Sequence, residues 1–194
     1  MGVCVLGVGV VHAQQPLEPG SSLPTVDAPL QRVEDGTAVR LQALTGSTGT
    51  VLLFWSNRCP WINRYEERVQ RLVSAFRDRG VRFVRVNAND ASDWPKESLA
   101  TSRARADSQG YTMPYLRDPR AALARALGAT RTPHAFVFDD GGTLVYVGGI
   151  DDSPGDPNRV QSPHLRKALD ALVNGTSPAV SQTRAFGCTL KYPE

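Results

Sequence analysis

Residues 51–80 read VLLFWSNRCPWINRYEERVQRLVSAFRDRG. Positions 51–55 form a continuous apolar run, the pattern of a strand buried on both faces. From position 61 to 79 the apolar side chains fall at Trp61, Ile62, Tyr65, Val69, Leu72, Val73 and Phe76. That spacing is helical, and Gly80 closes the helix. Cys59 stands where the strand ends and the helix begins, immediately before Pro60. Proline is favoured in the first helical turn, so Cys59 is expected at a helix N-terminus. Free backbone N–H groups and the helix dipole favour a thiolate there, and the thiolate is the reactive form of cysteine. Arg58 and Arg64 add positive charge nearby. The plainer alternative is a small buried hydrophobe, the usual fate of a lone cysteine.

Working outward, residues 81–86 read as a second buried strand, 87–95 as a polar loop and 98–109 as a weakly amphipathic helix ended by Gly110. A short strand is expected at 115–116 and a short helix at 119–127. Residues 134–138 and 143–150 form an antiparallel hairpin around Asp139-Asp140-Gly141-Gly142, and 162–173 a last helix. Upstream, two extended runs at 30–33 and 39–41 flank Glu34-Asp35-Gly36-Thr37, a hairpin signal. Strand and helix alternate and a hairpin follows, which implies an α/β domain with a largely parallel sheet and added antiparallel strands. The expected organisation is one domain at 25–174, a linker rich in Gln, Pro, Gly and Ser at 14–24, and a tail at 175–194 without clear periodicity.

The chain has 194 residues, with 41% hydrophobic and 21% charged, enough for a solvated core and against a disordered chain. A net charge of +3 without a lysine run gives no reason to expect nucleic acid. The many arginines read as a solvated surface. Residues 3–11 are apolar but far short of the ~20 needed to span a membrane. Together with the small-residue exit at Ala13 they read as a signal-peptide remnant over 1–13, which lacks a basic start. Export to a periplasmic or secreted location is expected, leaving Cys59 and Cys188 in an oxidising compartment. The acidic turn at Asp151-Asp152 and Asp156 reads as solvated. No Cys-x-x-Cys or His-x-x-x-His pair offers a zinc site, so no metal and no cofactor are expected. His134 lines a cleft or is a satisfied strand residue; both readings stand.

Phe54-Trp55-Ser56-Asn57-Arg58-Cys59-Pro60-Trp61 resembles the active-site entry of the thioredoxin superfamily, and Thr132-Pro133 is similar to its cis-proline dipeptide. More narrowly, the chain resembles the peroxiredoxin-like redoxins of the alkyl hydroperoxide reductase/thiol-specific antioxidant family. The resemblance is carried by Asn57-Arg58-Cys59-Pro60-Trp61, Asn87-Ala88-Asn89-Asp90, Tyr115-Leu116-Arg117-Asp118, Gly149-Ile150-Asp151-Asp152 and Gly187-Cys188-Thr189-Leu190-Lys191. It implies a thioredoxin-like fold, a central mixed sheet flanked by helices, with an N-terminal hairpin and a C-terminal tail. It also implies a thiol-dependent oxidoreductase. Cys59 would attack a peroxide or disulfide, an external thiol would act as reductant, and Ser56, Arg58, Trp61, Thr132 and Pro133 would line the substrate site. Thr132-Pro133 would be cis and face Cys59, with the Thr132 backbone pairing with an extended substrate strand.

The departures from the family pattern shape the chemistry. Ile62 occupies the place of a thioredoxin's second cysteine, so Cys59 lacks a local disulfide partner. Ser56 fits the peroxiredoxin hydroxyl position, whereas Leu52 replaces a proline. Thr132-Pro133 stands where peroxiredoxins carry an arginine, leaving Arg58 or Arg131 to stabilise a peroxide. Cys188, on a tail whose composition permits movement, is the candidate resolving thiol of the mature chain; a structural or unpaired thiol is the alternative. A redox-inactive binding module with the same fold is the alternative. A copper carrier of the Sco type is discounted, because Asn63 occupies the place of its second cysteine.

Overall fold

The computed structural model describes residues 16–194. The export-signal reading and Cys4 lie outside the described residues. Seven strands form the main sheet: β1 (Leu30–Arg32), β2 (Ala38–Val39), β3 (Gly49–Phe54), β4 (Val81–Asn87), β5 (Tyr115–Arg117), β7 (His134–Asp139) and β8 (Leu144–Gly148), in the order β2-β1-β5-β4-β3-β7-β8. The helices are α1 (Pro60–Phe76), α2 (Leu99–Gln109), α3 (Ala122–Leu127) and α4 (His164–Val173). Two further short strands, β6 (Arg131–Thr132) and β9 (Cys188–Thr189), pair apart from the main sheet.

β3 runs parallel to β4 and antiparallel to β7, so it is an interior strand of a mixed sheet. Side chains on a strand alternate between faces. Val51 and Leu53 therefore point to one core with Ile62, Tyr65, Val69 and Phe76 of α1 and Leu165 and Leu169 of α4. Leu52 and Phe54 point to a second core with Phe136, Phe138, Leu123 and Leu127. This two-sided burial is the reason residues 51–55 carry no polar alternation. The α/β class, the central mixed sheet flanked by helices and the N-terminal β1–β2 hairpin match the expectation, but the sheet is not largely parallel: β3–β4 and β4–β5 run parallel and the other four pairings are antiparallel.

Three local expectations need correcting. The third helix starts at Ala122 rather than 119. The Asp118 carboxylate accepts from the backbone N–H groups of Ala122 and Ala124 at 2.9 Å each and so fixes the first turn. Asp151 is not solvated: it is buried, ion-paired to Arg68 at 2.6 Å, and accepts a hydrogen bond from the Tyr65 hydroxyl at 3.1 Å. The arginines are not all surface cations either. Arg68, Arg85 and Arg117 are buried, and Arg85 is held by Glu66 on α1 at 2.5 Å. A buried guanidinium needs such a partner to offset its desolvation. Linear sequence gave no sign of these partners.

Both flanking segments are docked onto the domain. Leu17, Gly20 and Leu23 donate backbone hydrogen bonds to Leu127, Leu144 and Gly142. At the other end the chain returns along β8, where Thr183 N–H donates to Val147 O at 3.0 Å and the Thr183 and Tyr146 hydroxyls share a bond at 2.7 Å. Among the described residues no helix is long and apolar enough to cross a membrane.

His134 sits on β7 beside Phe54 and is buried. Its Nδ1 accepts from the Thr130 backbone N–H at 3.4 Å, so the imidazole is a packed strand residue. Burial lowers its pKa to about 4 from the ordinary 6.5. The folded state thus holds a neutral ring that the unfolded chain would protonate below 6.5. This contribution is complete above pH 6.5 and is lost as pH falls from 6.5 to 4, by about 3 kcal/mol at most. His134→Gln is expected to flatten that part of the stability–pH curve relative to wild type, measured by urea unfolding at several pH values.

Candidate active site

The site lies where β3 gives way to α1. Phe54 is the last strand residue, Cys59 is the N-cap of α1, and Pro60 occupies the first helical position. The intervening turn is held by one side chain that sequence reading missed, the buried Glu97. Its Oε1 accepts from the Ser56 hydroxyl at 2.6 Å and the Arg58 N–H at 3.3 Å. Its Oε2 accepts from the Asn57 N–H and from Asn87 Nδ2, both at 2.8 Å. Ser56 Oγ in turn accepts the N–H groups of Arg58 and Cys59 at 3.1 Å each. Glu97 escaped notice because it belongs to the polar stretch before α2, some forty positions from the turn.

Cys59 is almost fully buried, and its thiol donates to the Thr132 carbonyl oxygen at 3.1 Å. The Thr132-Pro133 peptide is cis. On the far side of Thr132 lies Cys188, its direct partner in the antiparallel β6–β9 pair. The Cys188 pKa is pushed up to about 12. Burial is the largest cause, followed by the neighbouring Cys59. Both cysteines are present as free thiols.

Among the remaining site residues, the Arg58 guanidinium lies 4.9 Å from the centre of the Trp94 ring, whose other cationic neighbour is Lys191 at 5.4 Å. Arg131 Nη1 donates to the Thr189 hydroxyl at 2.7 Å. Trp61 packs edge-on against Phe186, ring centres 4.7 Å apart. The Thr132 hydroxyl is buried without a protein partner. Ser56, Arg58, Cys59, Trp61, Thr132, Pro133 and Cys188 thus belong to one neighbourhood. Among the described residues no group of three His, Cys, Asp or Glu side chains converges as a metal site would need.

Removing the Glu97 carboxylate leaves four donors without their acceptor. Hydrogen bonds to a charged group are worth roughly 1.5–3 kcal/mol each, so Glu97→Ala is expected to lower the unfolding free energy by about 3 kcal/mol. Glu97→Gln should recover little, because either amide orientation sets an NH2 group against N–H or O–H donors. Urea unfolding of the two variants at pH 7 checks this; full recovery by glutamine would contradict the charged-acceptor role.

The model of the AhpC/TSA family matches residues 19–147, well over half of the chain. The chain is 26% identical over 113 residues to the thiol-disulfide oxidoreductase ResA of Halalkalibacterium halodurans, covering 58% of this chain and 60% of that protein. An uncharacterised conserved protein of Geobacillus kaustophilus superposes with a TM-score of 0.84 at 33% identity, over 97% of this chain and 98% of that one. The bacterioferritin comigratory protein of Xanthomonas campestris shares the fold, with a TM-score of 0.60 at 20% identity over 81% of this chain and 99% of its own. With the cysteine at the strand–helix joint and the cis Thr132-Pro133 peptide beside it, the chain belongs to the AhpC/TSA family.

Proposed function

We propose that this protein is a thiol-dependent oxidoreductase in which Cys59 is the attacking thiolate and Cys188 the resolving thiol. The observation that carries the reading is that both cysteines meet at Thr132: the Cys59 thiol donates to its carbonyl oxygen at 3.1 Å, and Cys188 is its partner in the β6–β9 pairing. Family membership and the ResA relative support thiol redox chemistry.

With a hydroperoxide, the Cys59 thiolate attacks the terminal oxygen and the O–O bond breaks. Cys59 becomes a sulfenic acid, and the departing alkoxide takes a proton and leaves as the alcohol. Cys188 then attacks the Cys59 sulfur, an S–S bond forms, and the sulfenic oxygen leaves as water. With a disulfide substrate, Cys59 first forms a mixed disulfide and releases one thiolate, and Cys188 releases the second. Either route leaves a Cys59–Cys188 disulfide, which two equivalents of an external thiol reduce while being oxidised to their own disulfide. Once Cys59 is oxidised it carries no thiolate charge, so its share in holding the Cys188 proton is lost while burial and Glu97 remain. The Cys188 thiol is then freer to ionise at the step that needs it.

Ser56 fixes the turn, Arg58 supplies the nearest cation on it, and the Trp61–Phe186 pair forms the rim. The apolar start ending at Ala13 supports export to an oxidising compartment, where an exported reductant would recycle the disulfide.

One equivalent of hydrogen peroxide, followed by peptide mapping, is expected to give a 59–188 disulfide in the wild type. Cys188→Ser should instead accumulate sulfenic and sulfinic acid at Cys59. Cys59→Ser should consume peroxide at least a hundredfold more slowly. Closure of the disulfide should quicken as pH rises from 7 to 9, since more Cys188 is then thiolate. Cys188 remaining reduced while Cys59 over-oxidises would remove the two-cysteine cycle.

A further inference from the structure

Residues 183–192 form a strap across the mouth of the site, and each part is fixed. Thr183 lies over Gly148 and Gly149, accepting the Gly149 N–H at 3.1 Å. Cys188 and Thr189 pair with Thr132 and Arg131. Leu190 N–H donates to Thr130 O at 3.0 Å, and the Leu190 side chain is buried in the second core. Lys191 N–H donates to Asn89 Oδ1 at 3.0 Å, and Asp90 N–H donates to Lys191 O at 2.7 Å. The Tyr192 hydroxyl bonds to the Ala129 carbonyl.

Gly187 makes the closest approach. A Cβ built on it would collide with the Thr132 carbonyl oxygen, and its φ of +150° is one that other residues rarely adopt. The strap therefore covers β6 as closely as a backbone can. An extended peptide carrying a cystine would need an unpaired strand edge beside Cys59 on which to lie, since main-chain hydrogen bonds supply much of such an affinity. The nearest edge, at Thr132, is occupied by the chain's own β9.

Resting on the function proposed above, we infer that residues 183–192 act as a built-in occupant of the substrate-strand position and set specificity. They restrict Cys59 to small oxidants, hydroperoxides and low-molecular-weight disulfides, and exclude polypeptide disulfides. The same occupation presents Cys188 to Cys59, so resolving thiol and specificity filter are one element. A polypeptide could react only from the minor population with the strap displaced, and its apparent rate is reduced by that fraction.

The test measures the rate of Cys59 thiol loss with two probes, hydroxyethyl disulfide and the disulfide-linked dimer of an eight-residue peptide. The readout is the ratio of the peptide rate constant to the small-disulfide rate constant. Wild type is expected to give a ratio below about 0.05. Gly187→Ala, which cannot close onto Thr132, and Leu190→Ser, which loses the buried anchor, should each raise it at least tenfold while keeping both cysteines. A wild-type ratio near one overturns the strap as a filter without using any variant. An unchanged ratio in a folded variant whose residues 187–191 exchange amide hydrogens faster than wild type overturns it as well. Failure of Cys59 to react with hydroxyethyl disulfide and hydrogen peroxide alike would overturn the oxidoreductase reading itself, a result distinct from equal reaction with both disulfides.

Discussion

A single buried carboxylate, Glu97, ties together the parts on which the site depends. It receives donors from three consecutive residues of the turn before Cys59 and from Asn87 at the end of β4. Asn87 Oδ1 in turn accepts from the Asn89 N–H and side-chain amide, and Asn89 bonds both the Trp55 carbonyl and the Lys191 N–H. One polar network thus runs from the turn that presents Cys59, beneath the sheet ends, to the strap that presents Cys188. Its side chains Ser56, Asn87, Asn89 and Glu97 are buried, where a satisfied network rigidifies its surroundings and a broken one is costly.

The same logic governs the deeper charges. Glu66 on α1 holds Arg85 and Arg105 and accepts from the Tyr111 hydroxyl at 2.7 Å, and that hydroxyl accepts from the Trp55 indole at 3.2 Å. Arg68 and Asp151 fasten α1 to the loop after β8. Ion pairs taken out of water gain little net stability. Their effect here is to fix α1 in position at several points along its length, and Cys59 caps the N-terminus of that helix.

The segments that carried the family resemblance have a common physical basis. Asn87-Ala88-Asn89-Asp90 and Gly187-Cys188-Thr189-Leu190-Lys191 lie a hundred residues apart, yet they bind each other through the bonds between Lys191 and Asn89 and Asp90. Thr132 is the point where this contact meets Cys59. A strap docked in this way leaves the site accessible chiefly to ligands that need no backbone edge.

Local physics made much of the fold legible in the sequence. The unbroken apolar run before Cys59, the helical spacing after it, the Asp-Gly turn at Asp35-Gly36 and the glycines that end α2, α3 and the 3-10 turn after α1 are all short-range signals, because backbone hydrogen bonding and side-chain alternation act over a few residues. Those signals placed Cys59 at a helix N-terminus and bounded most elements to within a few residues. They said nothing of Glu97, Glu66, Arg85 or Asp151, whose burial is decided by partners 10 to 86 positions away. They also left residues 175–194 as an aperiodic tail, since a strap held by single bonds to several different elements has no period of its own. The sequence by itself determined the elements and the place of Cys59 at the strand–helix joint. Only the tertiary structure decided that both thiols meet at Thr132, because that meeting depends on strand pairing between Thr132 and Cys188, which no local pattern encodes.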